Sequence, residues 1–321
     1  MTVRKYPSTN KSRAYKADLD REKQSSNHAR AERAKCELEL MRKSRFVEIN
    51  GIVHHYHVSG PRDAEETVLL VHGWDCWWMW WHHVIKELNE QGIRTIAYDL
   101  KGHGWSDPDP QQDYSIASFS KDLAEITRRL ELKDFHIAAF SFGSFVTLDY
   151  ARKTTDSVKS IVFYNFGFLP NNVLLERFAP AVLTFTFNKV LRKVHWWQPI
   201  YAYARLVLTK NAISFHDIMI GVKSLELCCP EVIEKTTRQI TSREVTRSLP
   251  EVIENIDTPI LFVAGDGDTI MRSGNTRKLQ EFARSGSYVC VSKCGHLITL
   301  ELPGKASELI VNQMRSVKGT L

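Results

Sequence analysis

Residues 136–146 read His-Ile-Ala-Ala-Phe-Ser-Phe-Gly-Ser-Phe-Val, with Ser141 at the centre. An apolar run leads into the pattern small-x-Ser-x-Gly, and a segment compatible with a helix follows, so the stretch predicts a strand, a sharp turn and a helix. Ala139 and Gly143 flank the serine at two residues on either side and are small, which lets the strand and the helix approach each other. Such a turn strains the serine backbone and holds the Ser141 hydroxyl out of the sheet at a helix N-terminus, where an amide and the helix dipole stabilise an anion.

Two later apolar segments also end in loops that carry the residue types a serine nucleophile needs. Residues 258–268 run into a glycine-rich loop with Asp266 and Asp268, and residues 287–296 end in His296. A nucleophilic serine requires a base, an acid that orients the base, and hydrogen-bond donors for the oxyanion. The chain order is therefore Ser, Asp, His, each just after a predicted strand. Because open α/β sheets place their sites at the carboxyl edge of the strands, we expect these residues to meet there.

An earlier apolar segment, residues 67–74, ends in His-Gly-Trp, where the chain must turn tightly. This turn makes the backbone amide of Trp74 one candidate oxyanion donor, and the amide of Phe142 is the second. The loop that follows is rich in tryptophan, and aromatic walls suit apolar acyl or alkyl groups. The candidate pocket residues are Trp77, Phe140 and Leu297.

Two further stretches complete a resemblance to a known family. Residues 46–59 have the pattern of a hairpin with an Asn-Gly turn, and residues 98–107 read Tyr-Asp-Leu-Lys-Gly-His-Gly-Trp-Ser-Asp. With the serine turn and the Ser-Asp-His order, they resemble the α/β-hydrolase fold, in its capped esterase, lipase and haloperoxidase-like branch. The resemblance covers about residues 46–170 and 250–318. It implies an eight-stranded, mostly parallel α/β sheet flanked by helices, with a helical cap inserted after the sixth strand.

The resemblance assigns Ser141 as the nucleophile, His296 as the base and Asp268 as the acid, with Asp266 as the alternative acid. Some relatives carry the acid after the preceding strand, but here that strand ends at Asn165, so no carboxylate is available there. A serine at the turn argues against the dehalogenase and epoxide-hydrolase branches, which use an aspartate at this position.

Composition and the resemblance divide the chain into four parts. Residues 1–45 form a basic, polar extension that we expect to be disordered or loosely helical; residues 46–168 are the first part of the core, 169–250 the helical cap, and 251–321 the second part of the core. The extension holds 13 of the 43 Lys and Arg residues but only six of the 37 acidic residues, so it accounts for the net charge of +6. The remaining chain is close to neutral, and we expect no nucleic-acid partner.

These observations predict a serine hydrolase that cleaves a carboxylic ester of a lipophilic small molecule through an acyl-enzyme, with no cofactor and no metal. Three alternatives keep the same triad: an acyltransferase, a perhydrolase and a carbon–carbon bond hydrolase. An alternative of another class is a small-molecule receptor that retains the fold.

The sequence also carries expectations about location. No apolar core follows the basic N-terminal residues, and the six cysteines contain no Cys-x-x-Cys pair, so we expect reduced thiols in the cytoplasm. No apolar run approaches the ~20 residues of a membrane span. The aromatic-rich cap leaves peripheral contact with a lipid surface open, and the sequence does not determine the oligomeric state.

Overall fold

The computed structural model describes residues 8–154, 158–169, 172–193 and 197–318. Within these residues, eight strands form one sheet in the order β1-β2-β4-β3-β5-β6-β7-β8. The strands are β1 (Ser44–Ile49), β2 (Ile52–Ser59), β3 (Thr67–Val71), β4 (Arg94–Tyr98), β5 (Phe135–Phe140), β6 (Val158–Tyr164), β7 (Ile260–Gly265) and β8 (Gly286–Val291). β2 pairs antiparallel with β1 and β4, and the other neighbours are parallel. The predicted eight-stranded, mostly parallel α/β sheet is confirmed.

The strand order reverses at β3, and this reversal positions the site. Val71, at the end of β3, pairs with Tyr98 of β4 on one side and Ala139 of β5 on the other. Phe140 in turn pairs with Tyr164 at the end of β6. The loops after these strands therefore leave the sheet at one edge, around the switch point where open α/β sheets bind their ligands.

Helices cover both faces of the sheet. Among the described residues they are α1 (Asn10–Glu22), α2 (His28–Met41), α3 (His82–Glu90), α4 (Ile116–Arg129), α5 (Phe142–Ala151), α6 (Val173–Phe185), α7 (Trp197–Tyr203), α8 (Phe215–Leu227), α9 (Pro230–Ile240), α10 (Arg243–Glu254), α11 (Ser273–Gln280), α12 (Ile298–Glu301) and α13 (Pro303–Lys318). Because side chains alternate along a strand, Leu70 packs with α3 and α13, whereas Leu69 packs with α4, α5 and α11. A short 3₁₀ turn, Trp78–Trp81, precedes α3.

The N-terminal extension differs from the expected disordered or loosely helical segment. Its two helices, α1 and α2, pack on the core and bury Tyr15, Leu19 and Ala34. The Tyr15 ring contacts Trp77 and Trp105 at centroid distances of 5.5 and 5.4 Å. The few apolar side chains of this polar segment thus gather on one face, which is enough to dock it. Residues 1–7 of the extension and residues 319–321 at the other end lie outside the described residues.

Polar contacts also anchor the extension. Thr9 caps α1, and its Oγ1 donates to the carbonyl of Trp105 at 2.7 Å. Lys11 Nζ donates to the carbonyls of Ser106 at 3.2 Å and of Leu227 at 2.9 Å. Because Ser106 belongs to the core and Leu227 ends α8, this lysine links the extension to two other parts of the chain.

The helical insertion lies between β6 and β7, after the sixth strand as expected. It contains α6 to α9, and a bulged stretch of π-helix and 3₁₀ turn, residues 186–193, extends α6. A second π-helical turn, Ala204–Leu208, follows α7. α10 begins within the range expected for the cap, but Leu249 and Ile253 near its C-terminal end join the core that packs on the sheet. Residues 170–171 and 194–196 of the expected cap lie outside the described residues.

Candidate active site

Ser141 occupies the turn between β5 and α5 that the sequence predicts. Its backbone has φ 48° and ψ −113°, a conformation that non-glycine residues rarely adopt. The Ser141 amide donates to the Tyr164 carbonyl at 2.9 Å, which ties the turn to the end of β6. Gly143 must be glycine, because a Cβ atom there would lie 2.4 Å from the His72 carbonyl oxygen. The surrounding structure thus holds the strained serine in place, half-buried at the N-terminus of α5.

His296 lies between Ser141 and Asp268. Its Nε2 is 3.3 Å from Ser141 Oγ, and its Nδ1 is 2.7 Å from Asp268 Oδ2. With Asp268 ionised, Nδ1 carries the proton and donates to the carboxylate, which leaves Nε2 free to accept the serine proton. The His296 amide donates to the Leu208 carbonyl at 2.6 Å, so a residue of the cap segment holds the histidine loop. The three side chains have the connectivity of a serine-hydrolase triad.

Asp268 is buried and fully hydrogen-bonded. Its Oδ1 accepts from the amides of Ile270 and Met271, both at 2.8 Å, and its Oδ2 accepts from Asn165 Nδ2 at 2.7 Å. Burial raises the pKa of Asp268, but His296 and these donors lower it more, so the pKa lies below its ordinary value. The carboxylate is therefore ionised when it faces the imidazole.

The other candidate acid, Asp266, is exposed and points elsewhere. Its Oδ1 accepts from the Cys294 amide at 3.3 Å. The geometry thus brings Asp268, and not Asp266, to His296 Nδ1. From the sequence, Asn165 stands out only because it is not a carboxylate. In the structure its Nδ2 donates to the Gly295 carbonyl at 3.3 Å as well as to Asp268. The one signal that could have singled it out is its place at the end of a strand that reaches the site.

The two candidate oxyanion donors lie on segments that pack tightly together. Phe142 is the first residue of α5, so its amide has no acceptor within the helix. Trp74 follows Gly73, where an added Cβ would lie 2.8 Å from Phe140 Cδ1. Together with the contact between Gly143 and His72, this places the turn after β3 against the serine turn. Trp74 and Phe142 both line the cavity that opens beside Ser141.

Buried polar groups support the turn after β3. His72 Nε2 accepts from the Leu100 amide at 3.0 Å, and Nδ1 donates to the Gly73 carbonyl at 2.8 Å. Burial lowers the pKa of His72, which keeps the ring neutral, as these two bonds require. Asp99 accepts from the amides of Trp78 at 2.7 Å and Trp105 at 3.0 Å. These residues hold the loops and do not face the serine.

A cavity of about 290 Å³ lies between the sheet edge and the helical insertion. Aromatic and aliphatic side chains from both sides dominate its lining. They include Trp74, Trp80, Phe140, Phe145, Phe166, Leu183, Phe187, Leu191, Ile200, Leu208, Ile218, Met271, Leu297 and Leu300. Of the candidate pocket residues, Phe140 and Leu297 line the cavity, next to Ser141 and His296 respectively.

Trp77 is not a pocket residue, which corrects the expectation from the sequence. It is fully buried in the core, where it packs edge-on against Tyr15 and Trp105. Its indole N–H donates to the Ile220 carbonyl at 3.2 Å. Tyr15 of α1 packs against this tryptophan, so the orientation of the Trp77 side chain depends on a contact that is distant in sequence. Trp80 lines the cavity instead.

One group of described side chains has atoms close enough to hold a metal ion, although none was expected. Potential ligand atoms of His82, His83 and Asp217 lie within 4.8 Å of one another. However, Asp217 Oδ1 already lies 3.0 Å from His83 Nε2, and Oδ2 accepts from Ser214 Oγ at 2.6 Å. Because protein partners satisfy both carboxylate oxygens, these side chains serve to join α3 to α8.

Comparisons with known proteins agree with this fold. Residues 66–303 match the protein family described as alpha/beta hydrolase fold. The chain is 21% identical to the monoacylglycerol lipase ABHD6 of Mus musculus over 276 residues, which cover 83% of this chain and 80% of that protein.

Solved structures share the fold at low sequence identity. An esterase from Exiguobacterium antarcticum has a TM-score of 0.72 at 16% identity and covers 85% of this chain and 98% of its own. A bromoperoxidase from Bacillus anthracis has a TM-score of 0.71 at 17% identity and covers 82% of this chain and 96% of its own.

Proposed function

The chain belongs to the alpha/beta hydrolase fold family, and we propose that it hydrolyses a carboxylic ester of a lipophilic small molecule through an acyl-enzyme on Ser141. The observation that carries the proposal is the hydrogen-bonded series Ser141, His296 and Asp268 at the wall of an apolar cavity. The similarity to a monoacylglycerol lipase and to esterases supports an ester as the substrate.

In the proposed reaction, His296 acts first as a base and then as an acid in each half-reaction. His296 Nε2 takes the Ser141 proton while Oγ attacks the ester carbonyl carbon, and the carbonyl electron pair moves to the oxygen. The amides of Trp74 and Phe142 stabilise this oxyanion, and each such donor contributes about 3 kcal/mol. His296 then protonates the leaving alcohol as the tetrahedral intermediate collapses. In the second half-reaction, His296 takes a proton from water as the water oxygen attacks the acyl carbon. The bond from that carbon to Ser141 Oγ then breaks, His296 returns the proton to Oγ, and the carboxylic acid leaves.

The cavity sets the expected class of substrate. Apolar side chains supply most of its lining, so burial of an acyl or alkyl chain there is favourable, at ~25 cal/mol for each Å² removed from water. A volume of about 290 Å³ holds a small or medium ester rather than a polymer.

The test is turnover of a p-nitrophenyl ester series from acetate to palmitate by the wild type, Ser141→Ala and Ser144→Ala. Ser144 lies one turn further along α5 and is the matched control. We expect turnover to peak at one chain length, and Ser141→Ala to lower kcat by about 10⁴-fold or more. A fluorophosphonate probe should label the wild type and Ser144→Ala but not Ser141→Ala. Full turnover by Ser141→Ala would disprove the mechanism.

We also propose that the outer face of the cap contacts an anionic lipid surface. Exposed apolar side chains crowd α6: Val173, Leu174, Leu175, Phe178, Val182 and Phe185. Arg177, Lys189 and Lys193 are exposed on the same segment, whose nearby carboxylate, Glu176, accepts from the Arg243 amide at 2.9 Å. An apolar face bordered by basic residues complements a negatively charged membrane interface. Among the described residues, no helix is both long and apolar enough to cross a membrane.

We propose the cytoplasm as the location. The six cysteines are all free thiols in the structure, which suits a reducing compartment.

A further inference from the structure

Asp75 is a carboxylate in the cavity that the proposed reaction does not use. It directly follows Trp74, lines the cavity, and its side chain is 8% exposed. Among the residues that the structure describes, its Oδ1 has no hydrogen-bond partner. Buried carboxylate oxygens are almost always hydrogen-bonded, because removing such an atom from water costs about 1–3 kcal/mol or more when nothing replaces the water.

The backbone at Asp75 is also unusual. Its φ is 51°, in the left-handed region that costs most side chains energy and that aspartate tolerates better than most. A strained backbone and an orphaned buried oxygen at the same residue both oppose folding. Features of this kind persist mostly where a ligand or a reaction needs them.

Several other polar side chains of the cavity have partners within the protein. Ser141 and His296 pair with each other, and Asp217 bonds to His83. Asn165 donates through Nδ2 to Asp268, whereas its Oδ1 has no partner among the described residues. Asp75 differs from these in being an acid whose hydrogen-bonding neighbour is the thiol of Cys228, a weak donor. The Asp75 Oδ1 is thus an acceptor that a molecule in the cavity can pair with.

We infer that Asp75 binds a hydroxyl group of the substrate, so that this site selects an ester that carries a hydroxyl close to the reacting carbonyl. The inference rests on the proposed ester hydrolysis. The closeness follows from the chain: Asp75 is the neighbour of Trp74, the proposed oxyanion donor, and consecutive Cα atoms are ~3.8 Å apart.

A neutral hydroxyl fits this place better than a cationic donor. Arg192 is close enough to act on the charge of Asp75, although neither its Nε nor the Asp75 Oδ1 has a hydrogen-bond partner among the described residues. A substrate ammonium would meet the positive field of this guanidinium, whereas a hydroxyl would not. Burial raises the pKa of Asp75 to about 8, although Arg192 acts to lower it. Whether it is protonated or ionised, a carboxyl group keeps an oxygen that can accept a hydrogen bond from a hydroxyl.

The experiment compares near-isosteric esters that differ by one hydroxyl. 2-Hydroxyethyl butyrate against propyl butyrate places the hydroxyl on the alcohol part; ethyl 3-hydroxybutyrate against ethyl 3-methylbutyrate places it on the acyl part. We expect the wild type to favour the hydroxylated ester by at least about 10-fold in kcat/KM in one pair. Asp75→Ala should bring that ratio close to unity, and Asp75→Asn, which keeps an acceptor oxygen, should retain most of it.

A matched control separates selectivity from backbone strain. Asp134 is an exposed aspartate with φ 49°, so Asp134→Ala places alanine at a comparable backbone conformation away from the cavity. It should leave the ratio unchanged. Hydrolysis of all four esters without a preference, or a preference that survives Asp75→Ala, would overturn the inference alone. Hydrolysis of none of them would overturn the proposed function, and the inference with it.

Discussion

Asn165 directly follows β6 with φ 51° and places its side-chain amide between two loops of the site. Nδ2 donates to Asp268 Oδ2 at 2.7 Å and to the Gly295 carbonyl at 3.3 Å. One amide thereby orients the acid and anchors the loop that carries the base. The backbone N–H of Asn165 donates to the Val263 carbonyl at 2.8 Å, so β7 in turn holds the asparagine. Asn165 therefore helps to hold the proposed triad in its geometry.

The buried carboxyl of Asp75 predicts that the stability of the protein depends on pH. Burial raises the pKa of this carboxyl from its ordinary value of 3.8 to about 8 in the folded protein. Between about pH 4 and pH 8, the carboxyl of Asp75 is therefore protonated in the folded state but ionised in the unfolded state. Its contribution to stability is full below about pH 4 and is lost as the pH rises to 8. Asp75→Asn removes this titration. The free energy of unfolding of this variant, relative to that of the wild type, should therefore rise by up to about 1.4 kcal/mol for each pH unit between about pH 4 and pH 8.

Urea unfolding of both proteins at pH 5, 6, 7 and 8 measures the difference. The neighbours that act on Asp75, Arg192 and Cys228, are the same in both proteins. A difference that stays constant with pH, or that shrinks as the pH rises, would contradict the prediction.

At the element scale, α6 has two apolar faces. Leu183 lines the cavity, as does Phe187 in the π-helical turn beyond, while Phe178 and Phe185 are 56% and 61% exposed on the outside. A helix that is apolar on both sides is normally buried on both. Here the inner face covers the cavity, and the outer face is the one that we propose to meet lipid.

The outer face of α6 predicts binding to vesicles. The wild type should sediment with phosphatidylcholine vesicles that contain phosphatidylserine, and more weakly without the anionic lipid. The double variant Phe178→Ser with Phe185→Ser should lose at least about 10-fold in partitioning, because each phenylalanine contributes ~1.5–3 kcal/mol when buried. Phe282→Ser, at a 37% exposed phenylalanine near β8, is the control. If gel filtration shows a dimer and no vesicle binding occurs, a second copy covers this face instead.

The N-terminal helix α1 predicts a stability effect from a segment outside the sheet. Tyr15 is 5% exposed and packs on Trp77 and Trp105, so Tyr15→Ala should lower the free energy of unfolding by about 3 kcal/mol or more. Lys16→Ala, at the exposed neighbouring residue, should change it by less than about 0.5 kcal/mol. Denaturant titration measures both. Equal effects of the two substitutions would mean that α1 does not dock as described.

At the scale of the whole molecule, the cap and the catalytic loop are joined through Glu301. Its Oε1 accepts from the amides of Gly295 at 3.0 Å and Leu297 at 3.2 Å, on either side of the catalytic histidine. Its Oε2 accepts from the amides of Lys210 at 2.7 Å and Asn211 at 3.0 Å, in the loop between α7 and α8. A single buried carboxylate therefore sets the cap segment against the loop that carries the base.

Glu301→Ala should lower kcat by about 10- to 100-fold, because four amides lose their acceptor and the histidine loop shifts. Glu301→Gln keeps one acceptor oxygen and should fall between the alanine variant and the wild type. Glu308→Ala, at an exposed glutamate of α13, is the control. Steady-state kinetics together with the melting temperature measure the effect, and an unchanged kcat in Glu301→Ala would show that the cap does not position the base.

Local sequence patterns determined the strand-and-turn units and the order of the chemistry, and the family resemblance that rests on them implied the eight-stranded sheet. An apolar run that ends in a small or polar turn is recognisable within ten residues, so the strands that carry Ser141, Asp268 and His296 could be predicted. Their meeting at one edge follows from the way parallel strands share a direction. The choice of Asp268 over Asp266 came from a family resemblance, and the hydrogen bond to His296 Nδ1 agrees with it.

The tertiary structure alone decided which way individual side chains face. Trp77 enters the core and Trp80 the cavity because Tyr15 and Trp105, both distant in sequence, fill the space around Trp77. The docking of the polar N-terminal helices and the orphaned oxygen of Asp75 depend on contacts of the same long range. Periodicity and turn residues report on a chain's nearest neighbours, whereas packing and desolvation depend on segments that only folding brings together.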